Sequence, residues 1–175
     1  MFTTVKRKIL FTLPVVMATM RAAVYDRTAP EGVRVDPSFP RAGPLASANH
    51  LPAGHVLVKV VAAGVNPVDA KKVIGDKLPS WMSWLTDRSV DGKVAGMDFA
   101  GIVEGVSTKG GKSSGAEAAS SFQVGEKVYG ILPPLTGAFT EFAACPASQL
   151  CIKPSSLSFT EAAALPIPGL TVVCF

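Results

Sequence analysis

Glycine and proline constrain this chain more than any other residues. The 175 residues include 16 Gly and 14 Pro, scattered between short apolar runs. Both favour turns, since glycine tolerates left-handed backbone and proline fixes φ and lacks an N–H group. The pattern therefore predicts many short elements joined by turns, in a β-rich barrel or sandwich.

The clearest strand is expected at His55–Ala62. Its side chains alternate with a period of two, which places Val56, Val58, Val60 and Ala62 on one face. Further strands are expected at Arg21–Tyr25, Gly32–Val35, Phe99–Val106, Lys127–Leu132, Gly137–Ala144 and Gln149–Ile152. Loops are expected at residues 36–54 and in the polar stretch 107–121. The predicted fold class is mainly β with short helices.

A first short helix is expected to begin after Asn66. Asn66 can cap a helix, Pro67 suits the first helical position, and Asp69 suits the positive end of the helix dipole. The helix is expected to run to about Ile74, because Gly75 is a natural stop.

A second short helix is expected at Phe159–Leu165. Ser158 and Glu161 have the spacing of a capping box, in which each side chain bonds the backbone N–H of the other residue. Pro166 is expected to end this helix, because the residue before a proline disfavours helical backbone.

The charge distribution excludes two classes of protein. The net charge is +4, but Lys6, Arg7 and Lys8 supply +3, which leaves +1 on residues 9–175. A body so close to neutral has no basic stripe to lie along phosphates, so no nucleic-acid partner is expected. With 48% hydrophobic and 17% charged residues, the chain is not a charge-rich disordered tail either.

Residues 1–19 are expected to form an extension before the compact domain. A basic patch precedes the apolar run Ile9–Ala18, which is shorter than the ~18 residues that indicate a membrane-spanning helix. Three interpretations stay open, namely an upstream extension of the coding sequence, a signal peptide and an organellar presequence. Met17 or Met20 could start the domain itself.

The three cysteines indicate a reducing compartment, and the cytoplasm is the default location. Their number is odd, and Cys145 and Cys151 are six residues apart, too wide for the usual zinc-binding pair. Both are expected to be ordinary buried strand residues.

Five segments together resemble one family. They are Val65–Asp69 (VNPVD), Gly96–Val103 (GMDFAGIV), Gly125–Gly130 (GEKVYG), Gly137–Phe142 (GAFTEF) and Glu161–Pro166 (EAAALP). In this order they resemble the N-terminal GroES-like domain of the medium-chain dehydrogenase/reductase superfamily. The greatest likeness is to the zinc-less quinone oxidoreductase group, the zeta-crystallin-like enzymes, over about residues 20–171.

The resemblance implies a GroES-like, partly open β-barrel at residues 20–165 that forms one wall of an active-site cleft. Residues 166–175 would start the linker to a nucleotide-binding domain, which binds NADPH in the family. This sequence has no glycine-rich turn between a strand and a helix. We therefore expect it to break off before the nucleotide-binding half and to bind no NADPH alone.

The resemblance also implies an activity and two site residues. The family transfers hydride from NADPH to an enone, quinone or aldehyde, so the expected partner is a small carbonyl or quinone substrate. Asn66 matches the position that faces the nicotinamide and the substrate carbonyl, which implies a catalytic and cofactor-binding role. A plain helix cap explains Asn66 equally well. Thr171 matches a threonine that hydrogen-bonds the nicotinamide carboxamide, and its alternative role is that of a helix-start residue.

No metal site is expected. Zinc-dependent relatives carry a Cys in the segment that corresponds to Val65–Asp69, and a His-Glu pair where this chain has Met97 and Asp98. His50 and His55 have no partner at the spacing that zinc ligands require.

Other candidate site residues have structural alternatives. Asp98 could hold the turn of the cleft wall, although a capping or turn carboxylate is the simpler role, and Asp69 suits a helix-start charge better than a general base. Trp81 and Trp84, within residues 79–85, form an apolar cluster that is either a lip over the substrate or a satellite core.

Three functions compete at this point. They are a fragment of a zinc-independent, NADPH-dependent oxidoreductase, a stand-alone GroES-like binding module, and a membrane-anchored or secreted protein that uses residues 1–20. The helix Phe159–Leu165 favours the first, because it is linker architecture in the family. A cleft face left uncovered around Asn66, Trp81, Trp84 and Phe159–Val173 would expose apolar side chains, so a homo-oligomer is a further expectation.

Overall fold

The computed structural model describes residues 19–26, 28–41, 51–74, 90–109, 119, 121–134 and 136–174. Within these ranges the strands are β1 (Thr19–Tyr25), β2 (Val33–Pro40), β3 (His55–Gly64), β4 (Asp98–Val106), β5 (Lys127–Ile131), β6 (Phe142–Pro146) and β7 (Leu150–Ile152). The α-helices are α1 (Pro67–Ile74), α2 (Phe159–Ala163) and α3 (Pro166–Cys174), and a 3₁₀ turn spans Ala147–Gln149. The chain is thus mainly β with short helices, as predicted.

The strands of the described ranges form two antiparallel sheets, which do not close into a complete barrel. β1 and β2 form a hairpin, and the larger sheet has the order β6-β3-β4-β5-β7. Single bridges from Ala22 to Thr140 and from Val24 to Val94 attach the hairpin to the rest of the fold. This architecture agrees with the expected partly open barrel.

Several predicted features lie outside the described residues. They include residues 1–18, His50, Gly75, the cluster around Trp81 and Trp84, and most of the polar stretch 107–121. In the described part of the chain, no helix is long and apolar enough to cross a membrane.

The main core lies against one face of the larger sheet. Val56, Val58, Phe99, Val103 and Val128 are at most 1% exposed and belong to one cluster. They come from three adjacent strands, because β3 pairs with β4 and β4 pairs with β5. The period-two pattern of β3 therefore places Val56 and Val58 together as predicted.

The alternation predicted for β3 does not hold at the C-terminal end of the strand. The register shifts between Val60 and Ala62, which pair with the consecutive residues Gly101 and Ala100. One extra residue in a strand reverses the alternation beyond it. Ala62 therefore packs against the cluster of Ala100, Ala162 and Ala163, and not with Val56 and Val58.

Two strand predictions differ from the observed bounds by more than two residues. β2 continues to Pro40, so the first residues of the expected loop 36–54 are strand. The strand expected at Gly137–Ala144 begins only at Phe142. Gly137 has φ +80°, and a Cβ there would collide with Val94, so this residue belongs to a turn that only glycine can make.

The second helix is also shorter than predicted. α2 has the capping box of Ser158 and Glu161, but it ends at Ala163. Pro166 does not merely stop a helix. It stands at the first position of α3, where its missing N–H and fixed φ cost nothing.

Gly101 allows β3 and β4 to approach closely, and this gives a first testable prediction. A Cβ at Gly101 would collide with the Lys59 carbonyl oxygen, whereas a Cβ at Gly105 on the same strand would lie 3.9 Å from the Leu57 Cβ. We expect Gly101→Ala to lower the free energy of unfolding by about 1–3 kcal/mol in chemical denaturation. Gly105→Ala is the matched control and should change it by less than about 0.5 kcal/mol. Equal effects of the two substitutions would contradict this account of the strand pair.

Candidate functional site

Asn66 lies at the junction of β3 and α1, and it is 6% exposed. Its backbone N–H donates to the Asp69 Oδ2 at 2.9 Å. Asp69 is the third residue of α1, and this bond is one of the two that make up a capping box. The Asn66 side chain has another partner, because Nδ2 donates to the Asp98 Oδ2 on β4 at 2.9 Å. The side chain is therefore bound to a neighbouring strand, and the Asn66 backbone N–H makes the contact at the helix start.

Asp98 connects Asn66 to helix α3. It is 0% exposed at the start of β4, and the Ile167 N–H in the first turn of α3 lies 3.2 Å from each of its carboxylate oxygens. Burial raises the pKa of Asp98, and the charge of Asp69 acts in the same direction. The hydrogen bonds from Asn66 and Ile167 oppose the rise in pKa. Asp98 thus caps a helix, as its simpler predicted role implies. The residue that it caps, Ile167, lies 69 positions further along the chain.

Asp69 extends the network towards β1. Tyr25 and Asp69 are 2% and 5% exposed, and the Tyr25 hydroxyl donates to the Asp69 Oδ1 at 3.3 Å. Burial raises the pKa of Tyr25 strongly, and Asp69 adds to this by its charge and its hydrogen bond. We call Tyr25, Asp69, Asn66, Asp98 and the Ile167 N–H the buried polar chain. Tyr25 was not predicted, since no local pattern links it to a residue 44 positions away.

Thr171 lies on α3, one turn after Ile167. It is exposed, and its Oγ1 donates to the Ile167 carbonyl oxygen at 2.8 Å. It is not the helix-start residue of the alternative interpretation, because α3 begins five residues earlier at Pro166. The structure thus joins Asn66 to the start of the helix that carries Thr171. The cofactor-binding role of both residues stays a prediction.

A groove runs beside the exposed side of α3. It has a volume of about 600 Å³ and is lined by apolar side chains that include Tyr129, Ile131, Leu165, Leu170 and Val173. Leu170 and Val173 are 55% and 84% exposed. An apolar surface of this kind favours association, so self-association through this face stays a prediction.

The cysteine prediction is half right. Cys145 is 0% exposed, and burial raises the pKa of its thiol to about 12, so it is an unreactive core residue. Cys151 is exposed on the edge strand β7 and is not the buried residue that was expected.

The described residues hold no group of three or more His, Cys, Asp or Glu that could bind a metal ion. His55 directs its Nδ1 to the Ala53 carbonyl oxygen at 3.0 Å. Met97 stands beside Asp98, whose two carboxylate oxygens already accept N–H donors. These contacts are compatible with the expected absence of a metal, which stays a prediction.

The described helix starts do not fit the phosphates of a dinucleotide. Asp69 accepts an N–H at the start of α1, Glu161 accepts the Ser158 N–H at α2, and Asp98 accepts the Ile167 N–H at α3. A phosphate binds at a helix start because it accepts hydrogen bonds from such N–H groups and is attracted by the positive end of the helix dipole. Since a carboxylate already occupies each start, a second anion there would be repelled.

Comparison with known families identifies the fold. A family model, the alcohol dehydrogenase GroES-like domain, matches residues 52–155, more than half of the chain. The chain therefore belongs to the alcohol dehydrogenase GroES-like domain family, within the medium-chain dehydrogenases/reductases that the five motifs resemble.

Two curated relatives are reductases. The trans-enoyl reductase milB of Cordyceps militaris is 37% identical over 116 residues, which are 63% of this chain and 27% of that protein. The 2-methylene-furan-3-one reductase of Solanum lycopersicum is 34% identical over 119 residues, which are 64% of this chain and 26% of that protein. The chain thus spans about a quarter of the length of the curated relatives that it matches.

Two solved structures share the fold. The quinone oxidoreductase of Pseudomonas syringae pv. Tomato DC3000 aligns with a TM-score of 0.63 and 26% identity, over 89% of this chain and 39% of the other. The quinone oxidoreductase of Coxiella burnetii aligns with a TM-score of 0.62 and 24% identity, over 90% of this chain and 44% of the other. The second likeness supports the fold alone.

Proposed function

We propose that this chain is the substrate-side part of a zinc-independent, NADPH-dependent reductase that acts on an enone, quinone or aldehyde. The observation that carries the proposal is the buried polar chain, which holds the amide of Asn66 against Asp98 and the start of α3. The names of the relatives supply the reaction class, since an enoyl group and a 2-methylene-furan-3-one both have a carbon–carbon double bond beside a carbonyl.

The chemistry that we assign to Asn66 is polarisation of the substrate carbonyl. A side-chain amide has two N–H hydrogens, and the contact with Asp98 uses one of them. The other can donate to a carbonyl oxygen on which negative charge develops, which lowers the barrier to hydride addition. The hydride comes from the nicotinamide of the cofactor. Each described helix start faces a carboxylate, so we expect another part of such an enzyme to bind the phosphates of the cofactor.

Cofactor binding gives a second prediction. In a fluorescence titration of the 175-residue chain, we expect no saturable NADPH binding up to millimolar concentration, because each described helix start already faces a carboxylate. Binding with a micromolar Kd would show that a phosphate site has been missed.

Metal content gives a third prediction. Elemental analysis of the purified chain should find well under one zinc per molecule, since the described residues form no cluster of ligands. Stoichiometric zinc that survives dialysis against a chelator would contradict the zinc-independent assignment.

The reaction class can be tested with a fusion enzyme. In this enzyme, called the fusion, residues 20–174 of this chain replace the whole part of the trans-enoyl reductase milB that corresponds to them, which includes the matched segment. We expect the fusion to oxidise NADPH in the presence of an enone, a quinone or an aldehyde, and the 175-residue chain alone to be inactive. A fusion that is folded and binds NADPH but reduces none of the three would favour the stand-alone binding module.

A further inference from the structure

The orientation of the Asn66 side chain depends on what faces it. A carboxamide can turn by 180° and exchange its oxygen for its NH₂ group with little change in shape. An ionised carboxylate only accepts hydrogen bonds. The Asp98 Oδ2 lies 2.9 Å from the Asn66 Nδ2, so the ionised form of Asp98 permits one orientation and opposes the other.

The same carboxylate also holds α3. Both of its oxygens lie 3.2 Å from the Ile167 nitrogen. The Oδ2 accepts from Asn66 as well, so this one oxygen contacts both partners. A neutral asparagine at position 98 would place an NH₂ group at one of the two oxygen positions, and each position faces an N–H donor. Only the carboxylate accepts at both positions, whereas an asparagine could turn over and let the Asn66 carboxamide turn with it.

Space around Asp98 is closely limited. It pairs with Gly64 on β3 and Ile131 on β5, and a Cβ at Gly64 would lie 3.0 Å from the Asp98 Cβ. The carboxylate has no exposed surface through which water could replace its partners. A buried carboxylate is costly to desolvate, so its charge-assisted hydrogen bonds to Asn66 and Ile167 must offset that cost.

We propose that Asp98 is a positioning residue, which fixes the orientation of the Asn66 carboxamide and ties it to the first turn of α3. Its consequence for catalysis rests on the proposed function, because it acts through Asn66. The hydrogen-bond arrangement itself does not depend on the proposed function. It can be measured on the 175-residue chain without cofactor or substrate.

Protonation of Asp98 should release this orientation. The protonated acid has an O–H that can donate to the Asn66 carbonyl oxygen, so both orientations become acceptable. The titratable groups of the described residues that face this site are Asp69 on α1 and, through Asp69, Tyr25 on β1. Because burial raises the pKa of Asp98, its native carboxyl should take up a proton at a higher pH than an ordinary aspartate does.

The test is NMR of the ¹⁵N-labelled 175-residue chain. In the wild type, one hydrogen of the Asn66 side-chain NH₂ should exchange slowly with water, and the Asn66 NH₂ and Ile167 N–H signals should shift together as the pH falls. In Asp98→Asn, exchange of the Asn66 NH₂ should be about 10- to 100-fold faster, the equivalent of one lost hydrogen bond to a charged group.

A matched control distinguishes the positioning role of Asp98 from a general effect on the stability of the fold. Asp69→Asn alters a second buried acid, which contacts the Asn66 backbone N–H and not its side chain, so slow exchange of the Asn66 NH₂ should remain. If Asp98→Asn does not fold, the pH titration of the wild type decides alone. Equal exchange rates in both variants, or Asn66 and Ile167 signals that do not titrate together, would overturn the proposal. An inactive fusion with these NMR results intact would instead count against the proposed function.

Discussion

Phe99→Ala is expected to lower the free energy of unfolding by about 3–5 kcal/mol, the cost of emptying a well-packed aromatic site. Phe99 is 0% exposed, lies in the main core and pairs with Ala63 and Gly130 on both neighbouring strands. It also directly follows Asp98, so a cavity here would loosen the start of β4 and the buried polar chain with it.

Chemical denaturation of the two variants measures this effect. Val61→Ala is the control, since Val61 is a half-exposed residue of the same sheet and its truncation should cost about 0.5 kcal/mol or less. A loss below about 1 kcal/mol for Phe99→Ala would mean that the core is not packed around this ring.

Asn66→Ala is expected to lower the kcat of the fusion by about 10²- to 10³-fold, the usual cost of removing one donor to a developing oxyanion. The KM for NADPH should change much less, because we expect another part of the fusion to bind the phosphates of the cofactor. The measurement is steady-state NADPH oxidation with an enone. A fall of less than about threefold would leave Asn66 as a structural residue.

The control for Asn66→Ala must disturb the same network without touching the amide. Tyr25→Phe removes only the hydroxyl that donates to Asp69 and keeps the buried ring. It should cost about 1 kcal/mol of stability and leave kcat within about twofold. A large loss of kcat in Tyr25→Phe would show that damage to the buried polar chain, and not the lost amide, slows the reaction.

Much of the fold could be predicted because its signals are local. The alternation in His55–Ala62, the helix start at Asn66-Pro67 and the capping box at Ser158 each involve neighbours in sequence, and β3, α1 and α2 appear where these patterns predict. The predicted face of β3 is wrong where a contact with a residue distant in sequence determines the local structure. The bulge at Val60 and Ala62 depends on the register with β4.

The site was predictable only in pieces. The motifs single out Asn66, Asp69 and Asp98 one by one, and local chemistry explains the contact between Asn66 and Asp69, three residues apart. The bond from Asn66 to Asp98 spans 32 residues, and the bond from Ile167 to Asp98 spans 69. No spacing rule covers such distances, so the buried polar chain emerges only from the folded structure.

The central claim is that this chain forms the substrate side of a hydride-transferring reductase, and transfer of label tests it most directly. The fusion would reduce an enone with NADPH that carries deuterium at its transferable position, and mass spectrometry and NMR would analyse the product. The account predicts one deuterium in the product, at the carbon β to the carbonyl. An unlabelled product, or no product from a folded fusion that binds NADPH, would contradict it.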